Sequence, residues 1–161
     1  MTGDGTTPVR VGIVDLAVVR FGGAGLETLL LRRASGTRCT GAWEIVHGRI
    51  DAGETPEVAA VRELREETGL ACERLYNTTL GGFYLHTLGV VSLSVVFCAI
   101  VSASAQAPII GEEHDAFVWL SLADAMQQCA WPREREALQH IAHLLRNGHD
   151  AGAVEDVLRV M

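Results

Sequence analysis

The run "LGVVSLSVVFCAIV" at residues 88–101 constrains this chain most. At 14 residues it is too short to cross a bilayer, which takes about 20 apolar residues in a helix, and it carries two serines. Dense β-branched content suits a buried central strand instead. The chain must then supply further strands beside it and helices to cover it.

Those elements are legible in order. "VRVGIVDLAVVRF" (9–21) reads as a long strand, and "LETLLLRR" (26–33) as its hairpin partner across Gly22-Gly23. "AWEIVHGRI" (42–50) is a short strand, followed by a helix over about 55–68. Strands are expected at 72–85, 90–102 and 116–121, the last after a turn at "APIIGEEHD". "LADAMQQC" (122–129) and "REREALQHIAHLLR" (133–146) read as helices, the second begun by Pro132. Mixed strands with one internal and two terminal helices predict an α/β fold, an α/β/α sandwich around a mixed β-sheet. No repeat or low-complexity linker interrupts it, so residues 1–161 are expected to form one domain. Residues 1–8 have no apolar core or cleavage-like site and read as a flexible lead. The tail 148–161 is either a short helix or frayed.

The helix at 55–68 poses a problem. Residues three and four apart share a helical face, so Glu63, Glu66 and Glu67 project together. Val61 and Leu64 fall on roughly the opposite side, with Ala60 at its margin. Thr55 is placed to cap the start, Pro56 suits the first helical position and Gly69 the stop. Like charges at this spacing cost a few tenths of a kcal/mol per pair. A hard divalent cation removes that repulsion, because it takes several oxygen ligands and bridges to phosphates.

The loop before the helix completes a pattern. From Gly48 the chain reads Gly, five residues, Glu54, seven residues, Arg62-Glu63-Leu64, one residue, Glu66-Glu67, one residue, Gly69-Leu70. This resembles the complete Nudix box, with nine fixed positions that would meet by chance in about one such chain in a million. The resemblance implies the Nudix fold over most of residues 9–146. It also implies that Glu66 and Glu67 ligate the essential divalent metal, with Mg²⁺ expected and Mn²⁺ as the other candidate. Glu63 matches the remaining helix carboxylate, a ligand in some members and a general-base candidate in others. Arg62 matches the arginine that orients a catalytic carboxylate, and Glu54 its partner. His47, preceding the box glycine, would lend its backbone carbonyl to the metal; many members have glycine there. Arg49, Arg32 and Arg33 are candidates for neutralising substrate phosphates.

Outside the box, "GEEHDAFVWL" (111–120) places Glu112 and Glu113 on a loop before a strand. Nudix enzymes often add a carboxylate from such a loop, as ligand or as base. The base is therefore sought at Glu63 or on this loop, where Glu113 is preferred because it can stay free of metal. His114 is expected to be a structural hydrogen-bonding residue. Trp131 could stack on a base or pack against the helix it precedes; Trp43, Phe83 and Tyr84 are weaker stacking candidates. "E-E-H…W-L" with the later "W-P-R-E-R-E-A-L" resembles the subgroup of dATP or dihydroneopterin triphosphate pyrophosphohydrolases.

The implied activity is metal-dependent hydrolysis of a nucleoside or pterin triphosphate to monophosphate and pyrophosphate. The alternatives are ADP-ribose, a dinucleoside polyphosphate, or binding without turnover. A net charge of −7 argues against a nucleic-acid partner, and no segment suits a membrane span. Four scattered cysteines without a C-x-x-C pair suit buried thiols in a reducing, cytoplasmic setting. A homodimer is left open.

Overall fold

The computed structural model describes residues 4–161. Of the lead expected at 1–8, residues 1–3 lie outside the described residues. Residues 4–8 are exposed and carry no helix or strand, and the Pro8 carbonyl accepts from the Val91 N–H at 2.9 Å.

Seven strands form one mixed sheet: β1 (Val9–Gly22), β2 (Gly25–Arg33), β3 (Trp43–Glu44), β4 (Val46–Arg49), β5 (Cys72–Leu85), β6 (Val90–Val101) and β7 (His114–Ser121). The continuous path is β3-β2-β1-β6-β5, with β4 paired to β1 and β7 to β2. Among the described residues only β1 and β6 run parallel, from Val9↔Val91 to Val19↔Ile100. The apolar run is thus an inner strand from Val90 onward, as its composition predicts, with Leu88 and Gly89 in the turn before it. The expected single strand at 42–50 is two. Trp43 and Glu44 pair with β2, whereas Val46 to Arg49 pair with β1. The chain changes neighbour at Ile45, which is fully buried.

Strand alternation sorts the apolar residues to two faces. Val14, Leu16 and Val18 of β1 join Leu29 and Leu31 of β2 and Phe97 and Ala99 of β6 in one core. Helix α1 (Pro56–Thr68) covers it with Ala59, Ala60 and Leu64. Ala17, Val19, Leu30, Cys98 and Ile100 face the other way. There α2 (Leu122–Gln128) and α3 (Pro132–Leu144) contribute Leu122, Ala125, Leu138 and Ile141. The expected α/β/α sandwich is the architecture adopted.

Two local expectations are corrected. Thr55 holds the cap position of α1, but its side chain makes no capping hydrogen bond; Pro56 and Gly69 (φ 69°) act as expected. Val61 packs against the core from its partly buried side, as its place on the helix allows. The thiols are not uniformly buried: Cys98 is, and burial pushes it up to about 12, whereas Cys39 is exposed on the β2–β3 connection at φ 59°. The tail is ordered, with a 3₁₀ turn (Gly152–Val154) and a short α4 (Glu155–Leu158). Leu75 of β5 then donates to the Met161 carbonyl at 3.0 Å and accepts from Val160 at 2.8 Å. No helix among the described residues is long and apolar enough to cross a membrane.

Candidate active site

The loop from β4 to α1 is organised by one guanidinium. Arg62 donates from Nε and Nη2 to the two oxygens of Glu54, at 2.8 and 2.9 Å. Its Nη1 reaches Glu63 Oε1 at 2.7 Å and Glu66 Oε2 at 3.1 Å, and Nη2 also donates to the Arg49 carbonyl at 2.8 Å. A planar fork can serve so many acceptors at once, whereas a lysine ammonium cannot. Arg62 holds the Glu54 carboxyl down at about 2, helped by the Asp51 backbone N–H. Arg62's own pKa is raised in return, chiefly by Glu54 and then Glu63.

The three helix carboxylates sit differently. Glu66 is largely exposed. Glu63 is buried against Gly48, where any Cβ would collide with its carboxyl group. Burial raises the Glu63 pKa, against the opposing pull of Arg62. Glu67 is part-buried as a residue, with its carboxyl turned inward. Desolvation pushes it up to about 9, assisted by the charges of Glu63, Glu44 and Glu113. Its Oε2 is buried and has no hydrogen-bond partner.

These carboxylates open on a cavity of about 530 Å³, lined also by His47, Arg49, Glu112, Glu113 and His114. Glu113 reaches it from the loop before β7, with one oxygen on Arg33 Nη1 at 2.9 Å. His114 is buried, with Nε2 3.2 Å from Glu44 Oε1, in the structural role expected of it. Arg32 stands apart from the cavity: it pairs with Asp115 at 2.7 Å and lies over Trp43. A phosphate contact from Arg32 is therefore not supported.

A second cavity of about 520 Å³ adjoins the first through His47, which lines both. Phe83, Tyr84 and Trp131 supply aromatic surface, and Arg33, Arg38 and Arg133 the cations. The Trp131 indole is anchored by donating to Glu44 Oε2 at 3.1 Å.

Among the described residues no three His, Cys, Asp or Glu side chains converge into a finished cation cage. The donor set still fits a small hard cation. Mg²⁺ is held by one or two carboxylates plus water and substrate phosphate rather than by an all-protein cage, and Glu67 presents a buried, unpartnered oxygen among like charges. Glu63, Glu66 and Glu67 are the residues that would hold it.

The NUDIX domain family model matches residues 10–141. The chain belongs to the Nudix family. A Myxococcus xanthus protein named octanoyltransferase is 33% identical over 137 residues, covering 84% of this chain and 37% of that protein. An 8-oxo-(d)GTP phosphatase of Mycolicibacterium smegmatis is 33% identical over 101 residues, 60% of this chain and 29% of that protein. The chain therefore spans well under half the length of these curated relatives. A Caenorhabditis elegans Ap4A hydrolase structure matches with a TM-score of 0.71 at 21% identity, over 84% of this chain and 97% of that one. At that identity the likeness is one of fold.

The Nudix helix was open to sequence reasoning, but its surroundings were not. Asp15 of β1 is 1% exposed, with Oδ1 2.7 Å from His47 Nδ1 and Oδ2 accepting from Arg133 Nε at 3.1 Å. Burial opposes its ionisation, yet His47 and Arg133 hold it down at about 2. Glu134 is fully buried, one oxygen accepting from Ile45 N–H at 3.3 Å. Burial and then the Asp15 charge raise its pKa well above the carboxylate range. The available signal for Asp15 was a lone acid inside "VGIVDLAVV"; Glu134 sits in the charged run "PREREALQ" and is not marked out by it.

Proposed function

We propose that this Nudix chain is a Mg²⁺-dependent pyrophosphohydrolase that cleaves a nucleoside-triphosphate-like substrate to monophosphate and pyrophosphate. The observation that carries the reading is the buried, unpartnered Oε2 of Glu67, in a carboxylate-lined cavity beside an aromatic and arginine-lined one. A cation bound there supplies charge neutralisation and water activation. The chain's own residues do the rest. Arg62 fixes Glu54, Glu63 and Glu66 so that the carboxylates need no reorganisation when substrate enters. Arg49 and Arg33 offer positive charge to the phosphate chain, and Glu113 offers a carboxylate that can take the proton of the attacking water. Phe83, Tyr84 and Trp131 provide flat surface for a base or pterin ring.

A panel of dNTPs, NTPs, dihydroneopterin triphosphate, ADP-ribose and dinucleoside polyphosphates with Mg²⁺ or Mn²⁺, with products resolved, tests this. Pyrophosphate release from a triphosphate that Glu67→Gln slows by at least about a hundredfold is the expected result. Turnover confined to ADP-ribose or dinucleoside polyphosphates would replace the substrate class. Binding without any turnover would make the chain a nucleotide-binding module.

A further inference from the structure

We propose that the His47 side chain is a sugar-recognition residue, its Nε2 accepting a hydrogen bond from a hydroxyl of the substrate's pentose. The inference rests on the nucleotide reading above and adds to it a contact outside the Nudix motif positions.

Three observations place this contact. His47 is the residue that lines both the carboxylate cavity and the aromatic cavity, and in a nucleotide the pentose is what joins phosphates to base. Its side chain is 35% exposed, so the ring is half free. The inner half is held: Asp15 accepts from Arg133 at both oxygens, Nε to Oδ2 at 3.1 Å and Nη2 to Oδ1 at 3.3 Å. An acceptor-only carboxylate requires His47 Nδ1 to carry the proton across the 2.7 Å contact. Arg133 Nη2 also lies 3.4 Å from Nδ1, but a protonated Nδ1 has no lone pair to offer it, so that guanidinium serves Asp15. The Nδ1–H tautomer selected by this contact carries its lone pair at Nε2.

The mount is more elaborate than strand pairing needs. Asp15 and His47 are already direct partners in the β1–β4 register, so the side-chain link is not required to join the strands. A carboxylate this buried is costly unless fully compensated, and beside His47 its compensation comes from Arg133 on α3, distant in sequence. Gly81 passes close by this pocket: a Cβ there would crowd Ser94 Oγ at 2.7 Å and rest at ordinary contact distance, 3.7 Å, from Asp15 Oδ2. Arg133 in turn lies over Phe83 and Trp131, 5.1 and 5.3 Å from their ring centres. The imidazole is thereby fixed relative to the aromatic walls, as selection of a hydroxyl between base and phosphate demands.

The test compares ribo-, 2′-deoxy- and 2′,3′-dideoxynucleoside triphosphates of one base on wild type, His47→Asn and His47→Gln, with circular dichroism confirming the fold. Asparagine can keep the link to Asp15 but stops short of Nε2; glutamine carries an acceptor oxygen to about that point. Wild type is expected to lose about tenfold in kcat/KM, mainly through KM, when the contacted hydroxyl is removed, the scale of one hydrogen bond. His47→Asn is expected to treat all three sugars alike at the lower value, and His47→Gln to recover part of the difference. Equal handling of the sugars by wild type, or unchanged discrimination by folded His47→Asn, overturns the proposal. Calorimetric binding of the matching monophosphates reads the same contact without turnover. Sugar-dependent binding without hydrolysis sinks the enzymatic reading alone, and binding indifferent to the sugar sinks this one.

Discussion

The carboxyl group of Glu63 fills the space that a side chain on residue 48 would need. Gly48 does not have a positive φ, so its lack of a Cβ matters for the approach of Glu63 and not for the backbone. Gly48→Ala is therefore expected to act through Glu63 alone, expelling the carboxylate and lowering kcat by at least about tenfold. A double-mutant cycle with Glu63→Ala checks this: in melting temperature the two changes should be strongly non-additive, because removing Glu63 vacates the space. Additive losses would mean that Gly48 serves some other purpose.

Glu67 predicts an unusual pH response of the metal-free protein. Its carboxyl is held at about 9 in the fold, against an ordinary 4.5. Below 4.5 both folded and unfolded states carry the proton. Between 4.5 and 9 the unfolded chain releases it and the fold retains it, so stability falls as pH rises through that window. In EDTA the melting temperature should decline from about pH 5 to 9, and Glu67→Gln should flatten the decline. Thermal scans across that range decide it.

Divalent metal should reverse the same penalty. A cation binding only the folded state adds about 2.7 kcal/mol at a hundred times its Kd, so millimolar Mg²⁺ or Mn²⁺ should raise the melting temperature of wild type. Glu67→Gln should respond weakly. Ca²⁺ should stabilise without good turnover, since its looser shell positions phosphates less rigidly. A wild-type melting curve indifferent to all three ions would count against metal at this helix.

Arg62→Lys isolates geometry from charge. The positive charge stays, but the paired bonds to Glu54 and the shared donor to Glu63 and Glu66 are lost. The expected outcome is a folded protein with kcat reduced by about ten- to a hundredfold, the range of a lost electrostatic or orienting contact. Unchanged kcat would show that the carboxylates hold their places unaided.

Glu113 is distinguished from Glu63 and Glu66 by its attachment to Arg33 rather than Arg62. Glu113→Gln should cut kcat strongly while calorimetric Mn²⁺ affinity changes little. The reverse pattern makes Glu113 a ligand and moves the base to Glu63.

The helix, its stop at Gly69 and the acidic face were legible because their relations are local: a 3.6-residue period fixes where Glu63, Glu66 and Glu67 point. The inner strands were legible from their apolar runs. Asp15, Glu44, Arg133 and Glu134 were not, since each acquires its meaning from a partner on a different element. Arg133 meets Asp15 only because α3 covers the face of the sheet opposite α1. The break at Ile45 was hidden for a similar reason, as a change of hydrogen-bonding neighbour leaves no mark on hydropathy. Arg32 and Arg33 are adjacent in sequence and equally basic, yet strand alternation sends only Arg33 toward the aromatic cavity.

The parallel pairing of β1 with β6 also bears on how the protein is made. These strands are separated in sequence by β2, β3, β4, α1 and β5, so on the ribosome β1 waits for its long partner until most of the chain has emerged. The β5–β6 hairpin closes locally, whereas docking β1 beside it carries the loop-closure entropy of everything between. Until that step the platform beneath α1 is incomplete. Acquisition of a competent helix is thereby tied to a late, non-local event, and the nascent chain carries the exposed apolar face of β1 in the meantime.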